Sequence, residues 1–176
     1  PTAFFAEEVF NTTPEEALEL GCEPDFNAYT RFANPRPNAE VKFRTGAGHI
    51  HIGWTEGADI KDPFHLGECY ALTKVLDMYL GMPSIVMDSD AKRRELYGKA
   101  GAFRPKSYGL EYRTLSNFWV KDEKLRAWAF KNTHKAIQYA MDKENSVPRV
   151  VKDIINGNKV DNAGYYSRAY KIPMVT

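Results

Sequence analysis

The run Arg44-Thr45-Gly46-Ala47-Gly48-His49-Ile50-His51-Ile52-Gly53 constrains this chain more than any other segment. From His49 to Trp54 polar and apolar side chains alternate with a period of two, the signature of a β-strand. His49 and His51 then share one face, about 7 Å apart by the rise of a strand. Ile50, Ile52 and Trp54 take the opposite face, the natural core side. Gly46, Gly48 and Gly53 carry no side chain and let a ligand or another backbone approach closely. Two imidazoles on one polar face suit a metal ion or the phosphate oxygens of a nucleotide. A solvent-facing strand carries the same pattern.

A second alternating run, Leu110 to Leu115, reads as another strand. Glu111 and Arg113 share one face, and Leu110 and Tyr112 the other. Set beside the histidine strand, this pair would bring a carboxylate, a guanidinium and two imidazoles to one surface. A carboxylate with an imidazole is a ligand pair for Mg²⁺ or Mn²⁺. The arginine fork binds oxyanions bidentately. An ordinary cross-strand ion pair, worth about 1 kcal/mol or less at a surface, gives the same spacing.

Between the two runs, Lys92 to Lys106 holds six basic residues and one acidic. A solvated basic face, a nucleic-acid patch, a phosphate loop and a carboxylate-binding loop all fit that composition. Nucleic acid usually meets a wider basic footprint, and the formal net charge of the chain is only +1. Gly98, Gly101 and Gly109 favour a loop folded tightly over a small anion.

The rest of the chain supplies helices. Thr13, Pro14 and Glu16 predict a capped helix from Thr13 to Leu20, stopped by Gly21. Asn34 to Asn38 reads as a loop, and Val41 to Arg44 as a strand. Asp62-Pro63 opens a helix with Cys69, Leu72, Leu76 and Tyr79 on one stripe, ended by Gly81 and Pro83. Ile85 to Met87 reads as a short buried strand, followed by a short helix through Leu96 capped by Asp88 or Asp90. Asp122 to Asp142 is the clearest amphipathic helix, with Leu125, Trp128, Ala129, Asn132, Ala136, Tyr139 and Ala140 on its inner stripe. Val147 to Asn156 is a shorter helix stopped by Gly157. The tail with Tyr165, Tyr166 and Tyr170 reads as loop plus a weak strand. This mixed order predicts an α+β fold with an antiparallel sheet.

At 176 residues, 43% apolar and 27% charged, the sequence suits one soluble domain spanning residues 1–176. Cys22 and Cys69 are too few for a disulfide framework and predict reduced thiols in the cytoplasm. No apolar run approaches the roughly 20 residues of a membrane span. The first residue is Pro1, so a processed, trimmed or fragmentary chain stays open.

Three runs in order carry a family resemblance. They are Arg44 to Gly53, Arg93 to Lys106 and Tyr108-Gly109-Leu110-Glu111-Tyr112-Arg113-Thr114-Leu115-Ser116-Asn117-Phe118-Trp119, preceded by Gly21-Cys22-Glu23-Pro24-Asp25-Phe26. Together they resemble the phage COOH.NH2 ligase type 2 family, which is placed with glutamine synthetases and glutamate–cysteine ligases. The resemblance implies a glutamine-synthetase-like antiparallel sheet with flanking helices that holds ATP and Mg²⁺, with Mn²⁺ as an alternative. It implies an ATP-dependent carboxylate–amine ligase that forms an amide through an acyl phosphate, in the cytoplasm of the host if a phage encodes it. By motif, His49 and Glu111 match metal ligands, and His51, Arg113 and Lys99 match contacts to the nucleotide phosphates. Arg104 and Arg113 match groups acting on the transferred phosphoryl group. Arg94, Tyr97 and Arg44 match the substrate-binding side, for a small carboxylate and amine or a peptide.

Glutamine-synthetase-like sites take several metal-binding glutamates from strands before the H-x-H element, and only 48 residues precede it here. Glu23 and Asp25 are the nearest acidic candidates. Glu7, Glu8, Glu15 and Glu16 read as a solvated or capping face. The expectation is therefore an incomplete catalytic domain, the C-terminal part of one, completed by an N-terminal half, a second chain or a homo-oligomer. Such a polypeptide by itself would bind nucleotide weakly. The competing expectation is a non-catalytic interaction or assembly protein on a ligase-derived scaffold. A metal-dependent hydrolase lacks further ligands in spacing. His65, His134, Trp119, Trp128 and Cys69 read as packing or surface residues, and Cys22 has no histidine close in sequence.

Overall fold

The computed structural model describes residues 2–18, 25–35, 41–142 and 144–175. In chain order they form β1 (Thr2–Phe4), α1 (Glu7–Thr12), α2 (Glu15–Leu18), β2 (Phe26–Asn27), β3 (Phe43–Thr45), β4 (Ile50–Gly53) and α3 (Pro63–Leu76). A π-helical turn (Asp77–Gly81) leads into α4 (Met82–Met87) and α5 (Arg93–Leu96). Then come β5 (Ala102–Lys106), β6 (Gly109–Tyr112), a 3₁₀ turn (Asn117–Lys121), α6 (Glu123–Met141), α7 (Val150–Asn156) and α8 (Val160–Ala169). The fold is α+β, as the mixed order of elements predicts.

The main sheet runs β2-β5-β6-β4 and is antiparallel throughout. A separate β1-β3 ribbon carries the N-terminal residues. Period two sorts the main sheet into two faces. Phe103, Leu110, Tyr112 and Ile52 point to one side and pack with Leu76, Leu80, Trp128 and Ala129 in one core cluster. Each of the large side chains contributes roughly 1.5–3 kcal/mol by burial. Trp54, expected on this face, lies at its margin, 38% exposed, and its indole donates to Glu68.

The amphipathic helix expected at Asp122–Asp142 forms as α6, with the Asp122 carboxylate capping the Leu125 N–H. Its polar inner residue, Asn132, is fully buried and donates to the carbonyls of Tyr79 and Pro173. Gly157 ends α7 as expected.

Several expectations need correction. The helix from Pro63 does not stop at Gly81 and Pro83. Met82 N–H reaches back to Asp77 O in the π turn, and this slip of one residue restarts the helix at α4. Pro83 then sits in a first turn, where a missing N–H costs nothing. Ile85 to Met87 is thus helix rather than strand, and Ile85 packs with Met78, Met82, Val151 and Ile154 in a second cluster. The tail is helical as well. Ala163 and Ser167, four residues apart, are buried along α8, so packing overrides the β preference of its tyrosines.

The stretch expected to be a glycine-rich anion loop contains β5. Pro105 is accommodated because β2 pairs only with Phe103 and Ala102, leaving β5 an edge at Pro105. Near the N-terminus, α1 was not anticipated, and α2 occupies part of the span expected for a helix. Leu20, Gly21, Cys22, Glu23 and residues 36–38 of the expected loop lie outside the described residues.

Candidate functional site

The other face of the main sheet collects charge. Arg104 on β5, Glu111 on β6 and His51 on β4 lie directly opposite one another across three strands. Lys106, two residues beyond Arg104, shares that face, as do His49 and Arg113. Glu111 sits at the centre. Its Oε1 lies 2.6 Å from His49 Nδ1 and 2.5 Å from Arg113 Nη1. Its Oε2 lies 3.2 Å from Lys106 Nζ and 4.0 Å from Arg104 Nη1. Arg113 turns its other edge to Asp25, with Nε 2.5 Å from Oδ1. At the sheet edge, His51 Nδ1 meets the Tyr108 hydroxyl at 2.5 Å. The two motifs expected to converge, His49 with His51 and Glu111 with Arg113, therefore share one surface.

Burial and charge compete over these groups. Burial pushes the Glu111 carboxyl up, but the charge of Arg113 and hydrogen bonds from Lys106 and Arg113 outweigh it and hold the group at about 2. Burial, reinforced by the charge of Arg113, pulls His49 down to about 4 against the attraction of Glu111. His49 is thus neutral near pH 7. Its 2.6 Å contact with an ionised carboxylate requires the proton on Nδ1. Nε2 then carries a lone pair, the arrangement of a histidine oriented from behind by a carboxylate. Burial raises Asp25 in spite of the neighbouring Arg113.

Close backbone packing sets this geometry. A Cβ on Gly48 would lie 2.4 Å from Trp119 Nε1 and 2.6 Å from Ser116 O. The glycine admits the Ala47–Ser116 bridge and the bond from Trp119 to Gly48 O, which lead the chain into β4. The flanking glycine thus makes room for protein rather than ligand. Gly98, at φ +68, lets the buried Arg93 fork donate to the carbonyls of Thr114 and Arg113. Arg93 anchors the backbone at Arg113 and Thr114, where the chain leaves β6.

Not every residue singled out by motif joins the cluster. Arg44 donates to the carbonyls of Val41, Phe43 and Leu18 and lies over Phe5, so it braces the N-terminal ribbon. Arg94 faces Asp88 at 3.8 Å and Asn158 at 3.2 Å instead. Lys99 is exposed, and its carbonyl accepts from Thr114. Tyr97 follows α5 and is half-buried. Sequence reasoning passed over Lys106, Arg93 and Tyr108. Period two from Arg104 would have found Lys106 had β5 been recognised as a strand. His65 and Cys69 pack together, with His65 on Lys106 O and the Cys69 thiol pushed by burial to about 12.

The sequence matches the family described as phage phiEco32-like COOH.NH2 ligase-type 2 over residues 28–165. The chain belongs to this ligase family. The match covers β4, β5 and β6 and hence every strand of the charged face except β2. No curated protein and no solved structure was found to match the chain.

The resemblance implies a metal ion and a nucleotide, and the charged face suits the two unequally. Among the described residues no three His, Cys, Asp or Glu side chains gather to hold a metal ion. Both Glu111 oxygens already face cations. His49 and Glu111 thus do not form a protein cage for Mg²⁺. An anion fits far better. Arg104, Lys106 and Arg113 stand against Asp25 and Glu111, and Arg104 and Lys106 remain 24% and 30% exposed.

Proposed function

We propose that this charged face binds a phosphate-bearing nucleotide and a carboxylate for ATP-dependent amide formation. The single observation behind the reading is the surplus of cationic groups around Glu111, on strands that the ligase family match covers. Bound ATP would supply the phosphoryl group that turns a carboxylate into an acyl donor for an amine. The chain's own part is positioning and charge neutralisation. Arg104 and Lys106 meet the anion at the solvent side. Glu111 holds Arg113 and His49 in one geometry, and His49 offers its Nε2 lone pair toward a ligand or its proton.

This proposal has a direct binding test. ATP with Mg²⁺ should raise the melting temperature of the chain, because a ligand that binds only the folded state stabilises it. Arg104→Gln combined with Lys106→Gln should remove the shift while leaving the circular dichroism spectrum unchanged. A normal fold with no ATP-dependent shift in the parent chain would overturn the proposal. With a carboxylate and hydroxylamine present, trapping of a hydroxamate would extend it from binding to acyl activation.

A further inference from the structure

Among the described residues one edge of the main sheet is unpaired, and a groove runs beside it. β4 pairs with β6 alone among the described residues. Trp54 N–H donates to Tyr108 O, so Ile52 and Ile50 follow as the hydrogen-bonded partners of Leu110 and Tyr112. The intervening residues, His51 and Gly53, then turn their backbone N–H and C=O groups outward. Neither Lys nor Pro guards this strand, although exposed edges usually carry such protection. Between the edge and α6 lies a groove of about 540 Å³, within the range of ligand clefts. Ile50 and Ile52 line one wall, and Phe130, Thr133 and Ile137 the other. Phe130 is 67% exposed there, its ring tilted against that of His134.

We propose that an extended acidic peptide docks here by adding a strand to β4. Strand addition beside a helix gives affinity through main-chain bonds and selectivity through alternate side-chain pockets. Every second residue of the added strand would drop an apolar side chain into the groove. The residues between would rise beside His51, at the rim of the charged face. The charged face decides the sign. On the side to which the intervening residues rise it carries Arg104, Lys106 and Arg113 against Glu111 and Asp25, and Arg126 adds a cation on the wall of the groove. A second copy pairing through β4 would bring the same cationic surplus, so charge complementarity favours an acidic partner. The docking stands on the edge and the groove. Its use as a substrate site, presenting a peptide carboxylate to the charged face, rests on the ligase reading.

The probe is a fluorescent ten-residue peptide of alternating Val and Glu, titrated into the full chain without nucleotide and followed by polarisation. Saturable binding is expected. N-methylation of the peptide amides that would face β4 should weaken it at least tenfold. Phe130→Glu, on an exposed helix position, should do the same with an unchanged circular dichroism spectrum. An alternating Val–Lys peptide should not bind. Absence of binding, or binding indifferent to N-methylation, to peptide charge or to Phe130→Glu, overturns the proposal. So does self-association of the chain that Phe130→Glu abolishes, because the second copy is then the occupant. The melting-temperature test with ATP is read separately. Peptide binding without an ATP shift sinks the ligase reading and keeps the docking, and the reverse result sinks the docking alone.

Discussion

Replacing Asp77 by Asn should reverse the stability order of the two proteins between acid and alkaline pH. Asp77 is fully buried in the π turn. Its carboxyl accepts from Tyr112 Oη at 2.8 Å, Thr114 Oγ1 at 3.1 Å and Gly101 N at 2.6 Å. It thereby ties the helical layer to β6 and to the start of β5, the strands that carry Glu111 and Arg104. Burial raises the carboxyl from an ordinary 3.8 to about 7, with the hydrogen bonds pulling the other way. The folded state therefore holds this proton more tightly than the unfolded state. The associated stability is complete below about pH 3.8 and disappears as pH rises through 7. At ~1.4 kcal/mol per pH unit, the interval amounts to ~4 kcal/mol.

Asn cannot ionise, so this dependence vanishes in the variant. It must turn its Oδ1 to the fixed Gly101 N–H and its amide toward the two hydroxyls. Thr114 can donate to Lys99 O at 3.2 Å instead, but Tyr112 loses its acceptor, costing about 1–3 kcal/mol. The variant should thus be less stable by about 1–3 kcal/mol at pH 3.5, where Asp77 is protonated in both the folded and the unfolded chain, and equal or more stable at pH 8. Urea unfolding of both proteins at the two pH values measures this. Two stability curves that run parallel from pH 3.5 to 8 would refute the reasoning about the buried carboxyl.

Gly98→Ala should destabilise by about 3–5 kcal/mol, combining a left-handed backbone cost with loss of charged hydrogen bonds. Its Cβ would fall 2.0 Å from Arg93 Nη1 and 2.7 Å from Thr114 O, and thermal unfolding reads the effect. Gly48→Ala should cost about 2–3 kcal/mol by forcing apart Trp119 and Ser116, visible in the same assay and as a change in Trp fluorescence. The Cys69 thiol, buried and held near 12, should resist alkylation at pH 8 in the folded protein and react only on denaturation. Rapid labelling of the native chain at Cys69 would contradict this.

Local pattern carried much of the charged face. Alternation at His49–Gly53 and Leu110–Arg113 put the right side chains on one side of each strand, because period two is written in consecutive residues. The same rule was available for Arg104 and Lys106 but was masked by glycines and Pro105, which resemble a loop until the short reach of β2 is known. Gly81 and Pro83 misled for a related reason. They end a regular helix, and only the π turn with its buried Asp77 lets the chain continue. The tyrosine-rich tail became a helix because a packing surface formed by α4 and α7 awaited it.

The sequence by itself determined the alternating strands, the long amphipathic α6 and the membership of the ligase family. All of these reside in local periodicity or in motif order. Tertiary structure alone decided that Lys106 joins Glu111, that Asp25 meets Arg113, and that Arg44 and Arg94 turn elsewhere. Those outcomes depend on which strands become neighbours and in what register, a non-local choice set by burying Leu110, Tyr112 and Phe103 together.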